Sequence, residues 1–167
     1  NDVNLSTALG GLTYGVTNFE ATAAYAAIAN NGTYQKPILY TKVLDHDGKV
    51  LLKNKSKVKK VMKDSTAYLL TSAMQDVVNS GTGTLAHFTN SSMPLAGKTG
   101  TTSDNIDAWF IGYTPYFTAG IWTGYDNNTS LSNTSYHKII WRTIMERLHT
   151  NLPNKTFSKP DSIVTAT

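Results

Sequence analysis

The chain of 167 residues contains no cysteine, which excludes a disulfide scaffold and thiolate metal sites. Its four histidines, His46, His87, His137 and His149, stand far apart, and no two have the spacing of a zinc-binding helix. No metal and no other cofactor is expected. No apolar run approaches the roughly 20 residues of a membrane-crossing helix. Charge is scarce too. Only 16% of residues are charged, too few for a disordered polyelectrolyte, and the formal net charge is a mild +4. The one basic run, Lys53 to Lys63, has few aromatics and reads as a solvated hairpin, so no nucleic-acid partner is expected.

What is present suits one packed domain: 40% of the chain is hydrophobic. Gly10, Gly11 and Gly15 mark residues 1–17 as loop. Asn18 reads as the cap of an alanine-rich helix through Phe19–Asn30, ended by Asn31-Gly32. Tyr40–Asp45 and Lys49–Lys53 flank Asp47-Gly48, a strong hairpin signal, and Val58–Met62 reads as a further short strand. Asp64 or Ser65 is expected to cap a second helix, with Leu70, Met74 and Val78 as its apolar stripe. Three strands follow, Met93–Thr102, Ala108–Tyr113 and Thr118–Gly124. Links this short force antiparallel neighbours. Tyr136–His149 reads as a last helix, its stripe Ile140, Ile144 and Leu148 widened by Trp141 and Met145. The fold class is therefore α+β, an antiparallel sheet flanked by helices. Residues 1–150 form the folded portion and 151–167 a polar, loose tail.

One motif carries chemistry: Lys98-Thr99-Gly100, extended as Gly97 to Thr102. In a strand, Thr99 and Thr101 point to one face and Lys98 and Gly100 to the other. Two hydroxyls at that spacing can hold a carboxylate, and the lysine adds positive charge. Gly100 lets another group approach the strand closely. On an edge strand the Thr101 N–H can donate to an oxyanion. Alone, the tripeptide fits a plain turn between loop and strand equally well.

Its surroundings narrow the choice. Lys-Thr-Gly is the third signature of the serine penicillin-binding proteins and serine β-lactamases. Here it runs on through Thr101–Pro115, with Asp107-Ala108-Trp109-Phe110-Ile111-Gly112-Tyr113-Thr114-Pro115, and then Ala119–Asp126. Together with Ala8–Val16 and Tyr25–Thr33, this run closely resembles the transpeptidase domain of bifunctional class A penicillin-binding proteins, over roughly residues 5–150. The resemblance implies a β-lactamase/transpeptidase-like fold, incomplete without an upstream segment. It implies a serine acyl-enzyme mechanism acting on D-Ala–D-Ala stem peptides of peptidoglycan, with β-lactams as acylating mimics. It implies a parent anchored in a bacterial membrane with its catalytic part on the extracytoplasmic face. Lys98 and Thr101 would be the catalytic residues, and Thr99, Gly100, Thr101 and Thr102 would bind substrate. A serine β-lactamase or D,D-carboxypeptidase relative is the alternative enzyme. A non-catalytic binding or structural fragment is the alternative of another class.

The family also needs a Ser-x-x-Lys nucleophile motif and a Ser-x-Asn motif ahead of Lys-Thr-Gly. Ser56-Lys57-Val58-Lys59 fits the first on paper but sits in the lysine-rich hairpin, with no dry pocket around it. Ser103-Asp104-Asn105 fits the second but leaves the Lys-Thr-Gly strand itself, so it cannot face that strand across a cleft and reads as a turn. The nucleophile is therefore expected on an upstream segment, not in this chain. Asp107 is read as fixing a hairpin, the three tryptophans as core, and Gly81-Thr82-Gly83 as a turn near the cleft.

Overall fold

The computed structural model describes residues 3–164. A short 3-10 turn over Leu5–Leu9 interrupts the stretch expected to be loop. Helix α1 spans Asn18–Ala29. Its cap is Thr17 rather than Asn18. The Thr17 hydroxyl accepts from Glu20 N, and Glu20 returns the bond to Thr17 N, a reciprocal capping box of about 1 kcal/mol. Asn18, one residue on, instead reaches across to donate to the Gly120 carbonyl at 3.1 Å.

Four short strands follow: β1 (Thr33–Gln35), β2 (Lys42–Leu44), β3 (Val50–Lys53) and β4 (Val58–Lys60). The expected hairpin is β2–β3, with Gly48 at φ 81° in its turn. β1 and β4 pair around it in a second two-stranded ribbon. Helix α2 spans Asp64–Asn79. Lys63 holds the cap position without a side-chain bond, and the Asp64 carboxylate accepts from Ser65 N.

The main sheet comprises β5 (Ala96–Thr101), β6 (Asp107–Tyr113) and β7 (Thr118–Gly124), antiparallel in that order. Helix α3, Tyr136–His149, closes the chain's regular structure. Trp141, Phe110, Phe88, Met93, Leu95, Val78 and Met145 form the core between α3, the end of α2 and one sheet face. Phe110 meets Trp141 edge-on at 5.0 Å, and the indole donates to the Ala119 carbonyl. A smaller cluster on the other face joins Met74, Ala96 and Tyr113 to Tyr25 and Ile28 of α1. Burial pushes the Tyr113 phenol up to about 12, and Thr71 satisfies its hydroxyl at 2.8 Å.

Three expectations are corrected. The buried stripe of α2 is Ala67, Thr71, Met74 and Val78, while Leu70 is 41% exposed. That of α3 is His137, Trp141, Met145 and His149, while Ile140, Ile144 and Leu148 are 42%, 45% and 53% exposed. In α2 the expected Met74 and Val78 are buried and Thr71 takes the place of Leu70, while in α3 the buried His137 and His149 rotate the stripe by one and keep the expected Trp141 and Met145 inside. Nor is the tail loose over its first part. Phe157 packs edge-on against Tyr113 at 5.6 Å, and Tyr116 donates to the Pro153 carbonyl.

His149 is held at both ring nitrogens, by Thr114 and the Met145 carbonyl. His137 is buried, and among the described residues neither ring nitrogen makes a full hydrogen bond, the Trp109 backbone offering only a weak contact. Burial, and then the neighbouring Lys138 charge, depress its basicity below the ordinary 6.5. The unfolded chain then takes up that proton first, so stability falls as pH drops below 6.5. Replacing His137→Leu should flatten that slope below pH 6.5, read as urea midpoint against pH. A second expectation concerns the open apolar faces, which include Phe19, Trp122, Ile140 and Ile144. The chain alone should self-associate and bind a hydrophobic dye. A cooperative, concentration-independent melt would contradict this.

Candidate functional site

The sheet register sorts the Lys-Thr-Gly strand into two faces. Lys98 lies opposite Ile111 and Gly100 opposite Trp109, whereas Thr99 lies opposite Phe110 and Thr101 opposite Ala108. The Lys98 face, with Trp109, Ile111 and Trp122, looks toward Asn18, Ala21 and Tyr25 of α1 and the Gly10–Gly11 loop. Between them lies a cleft of about 790 Å³. The expectation that Trp109 and Trp122 are core is thereby corrected: both line the cleft, and of the three tryptophans Trp141 alone is buried.

β5 is the outer strand, and among the described residues no strand pairs with its other edge. Thr102 N donates inward, to the Asp107 carbonyl at 3.1 Å. Strand alternation then turns the Thr101 N–H outward, to the unpaired edge. Thr101 and Lys98 are both exposed.

Lys98 Nζ donates to the Thr99 carbonyl at 2.9 Å, and no carboxylate pairs with it among the described residues. On the opposite face, Thr99 Oγ1 lies 2.6 Å from Thr82 Oγ1. The Gly81–Gly83 turn is thus brought against the motif. The Thr102 hydroxyl is committed: it donates to Asp107 Oδ2 and accepts from Asp107 N. Asp107 Oδ1 in turn accepts from Trp122 Nε1 at 2.8 Å. Asp107 therefore locks the hairpin and one wall of the cleft.

The two paper matches to the other family motifs lie elsewhere. Ser103–Asn105 forms a 3-10 turn with Asp104 and Asn105 at φ 57° and 56°, tied to Ser130 and Leu131. Ser56 donates to the Lys36 carbonyl beside the β1–β4 ribbon, a different sheet from β5. Among the described residues that line the cleft none is a serine. One neighbour escaped the sequence reading altogether. Lys138, in the first turn of α3, places Nζ 3.4 Å from the Thr82 carbonyl. Only the fold brings residue 138 to residue 82.

The model of the penicillin-binding protein transpeptidase domain matches residues 2–146. The chain belongs to this family. Penicillin-binding protein 1A of Clostridium botulinum is 43% identical over 164 residues, 96% of this chain and 20% of that protein. Penicillin-binding protein 1F of Bacillus subtilis is 34% identical over 172 residues, 97% of this chain and 23% of that protein. The chain thus spans about one fifth of the length of these curated relatives. The crystal structure of penicillin-binding protein 1A from Haemophilus influenzae superposes with a TM-score of 0.77 at 22% identity, covering 89% of this chain and 28% of that one. The D,D-transpeptidase domain of a peptidoglycan glycosyltransferase from Eggerthella lenta superposes with 0.66 at 24% identity, covering 82% and 33%. The fold is accordingly that of the penicillin-binding transpeptidases, and the expected fold class holds.

Glycines separate what the fold needs from what it leaves open. A methyl at Gly97 would lie 2.6 Å from Phe110 Cζ, whereas one at Gly100 would meet only Trp109, at 3.4 Å. Gly97→Ala should cost about 1–3 kcal/mol. Gly100→Ala should stay within about 0.5 kcal/mol of the parent. Denaturant midpoints of the two variants, in a polypeptide carrying the whole transpeptidase domain, check the contrast.

Proposed function

We propose that this chain is the C-terminal portion, to about residue 150, of a serine-type D,D-transpeptidase domain that cross-links peptidoglycan and is acylated by β-lactams. The observation that carries the reading is the Lys98–Thr101 segment. It presents an ammonium without a carboxylate partner to an open cleft, on an unpaired strand edge, with no serine in the lining. The nucleophile would come from an upstream Ser-x-x-Lys helix of the same polypeptide, along with Ser-x-Asn.

In that scheme the serine hydroxyl attacks the carbonyl between the two terminal D-alanines. Its proton passes through the relay to the departing D-Ala amine, and the acyl-enzyme forms. The amine of a second stem peptide then displaces the serine. Lys98 supports the proton relay electrostatically and attracts the substrate carboxylate. Thr101 N–H stabilises the tetrahedral oxyanion beside the serine's own N–H. Thr99 and Thr101 hold the carboxylate, and Gly100 leaves room for the acyl chain. Thr102, its hydroxyl engaged by Asp107, shapes the rim rather than binding directly. The work takes place on the outer face of a bacterial membrane, to which other parts of the protein would anchor it. Among the described residues no helix is long and apolar enough to cross a membrane.

The test is fluorescent-penicillin labelling read on a denaturing gel. A polypeptide joining this chain to its upstream segment should label at a serine outside residues 1–167. Lys98→Ala should slow labelling at least about a hundredfold. Label on the isolated chain would place the nucleophile within it and overturn the reading. Rapid loss of label by hydrolysis would favour the β-lactamase-like alternative.

A further inference from the structure

Two cations flank the paired hydroxyls of Thr82 and Thr99. Lys98 approaches from the cleft face of β5 and rests on the Thr99 carbonyl at 2.9 Å. Lys138 approaches from the α3 side and rests on the Thr82 carbonyl at 3.4 Å. The hydroxyls themselves lie 2.6 Å apart. Of their two protons, one is used in that mutual bond and the other is free to be donated. Neither lysine is paired with a carboxylate among the described residues, and the nearby Asp107 is spent on Thr102 and Trp122.

Lys138 is poorly placed for a residue with a purely structural task. It stands in the first turn of α3, where the helix dipole disfavours a cation and where no acidic residue compensates. It is half-buried, and burial pushes its ammonium below the ordinary value. It follows His137, whose buried imidazole gives it no hydrogen bond. Among the described residues the one hydrogen bond its ammonium makes is a long one, to the Thr82 carbonyl. An anion at the hydroxyl pair would relieve all of these terms together.

We propose that Lys138 is a second cationic recognition residue for the substrate's terminal carboxylate, acting from the α3 side of the Thr82–Thr99 pair while Lys98 acts from the cleft side. The proposal rests on the transpeptidase reading given above. It assigns Lys138 to specificity: the residue selects acyl donors that end in a free carboxylate and takes no part in proton transfer.

The test compares benzylpenicillin with its methyl ester, which lacks the carboxylate charge, as acylating agents of the complete domain. In Lys138→Gln the second-order rate for the free acid should fall about five- to tenfold. The rate for the ester should stay within about twofold, and Lys138→Arg should keep most of the preference for the acid. The acid-to-ester ratio is internal to each variant, so a partly folded sample does not distort it. An unchanged ratio in Lys138→Gln, whether both rates fall together or neither moves, overturns the proposal and leaves the transpeptidase reading intact. A parent domain acylated by neither compound overturns both.

Discussion

The Phe110 ring lies in a bed of three glycines. Methyl groups at Gly97, Gly112 and Gly83 would stand 2.6, 2.8 and 3.3 Å from its edge, and Trp141 closes the remaining side. This contact does three jobs at once. It seats the sheet on α3. It pins β5 against β6, because Gly97 and Gly112 are themselves partners across the pair. It also draws the Gly81–Gly83 turn onto the sheet, which brings Thr82 to Thr99. A slip of β5 by one residue would exchange the faces of Lys98 and Thr99. It would also put a lysine stem where the ring now lies. The positions of the motif's side chains therefore follow from one aromatic ring and the absence of three β-carbons.

The limits of β6, β7 and the last helix were legible in the sequence because their signals are local, whereas β1 (Thr33–Gln35) was not expected at all and β5 begins at Ala96 rather than Met93. Short apolar runs between turn residues can form only an antiparallel meander, and Lys98 and Thr99 then fall on opposite faces by alternation alone. The helix faces were less legible. Thr71, His137 and His149 hold core positions that a count of apolar residues assigns to solvent. Their burial depends on partners far along the chain: Tyr113 for Thr71, Thr114 for His149. Lys138 was illegible for the same reason. Nothing within several residues of it marks it as different from any surface lysine, and its neighbour at the site is residue 82.

The same logic explains the exposed apolar residues. Ile140, Ile144 and Leu148 follow one another at four-residue spacing along α3, as a buried stripe would, yet they face outward. A helix with the Trp141 stripe on the sheet and a second apolar stripe one residue behind it has two faces to bury. The cleft side repeats the pattern, with Trp109, Trp122 and Ile111 around an opening of about 790 Å³. Both surfaces suit a chain that spans about one fifth of its curated relatives. They also carry most of the chain's liability to associate.

Charge at the site is unbalanced in a way that open solvent tolerates. With Lys98 exposed and Lys138 half-buried, water screens the two ammoniums, and their repulsion is small at a dielectric near that of bulk. Covering the cleft with a further helix removes that water. Coulomb energies at fixed separation then grow several-fold, and the field at the hydroxyl pair becomes strongly positive. A site assembled in that way is stabilised by an anion in proportion to how completely it is closed. Substrate carboxylate and domain packing would then reinforce each other, because the same desolvation that strains the empty site strengthens every contact to the bound one. With Lys98 on the cleft face of β5 and Lys138 reaching in from α3, the proposed arrangement would let both act on a single carboxylate at the strand edge.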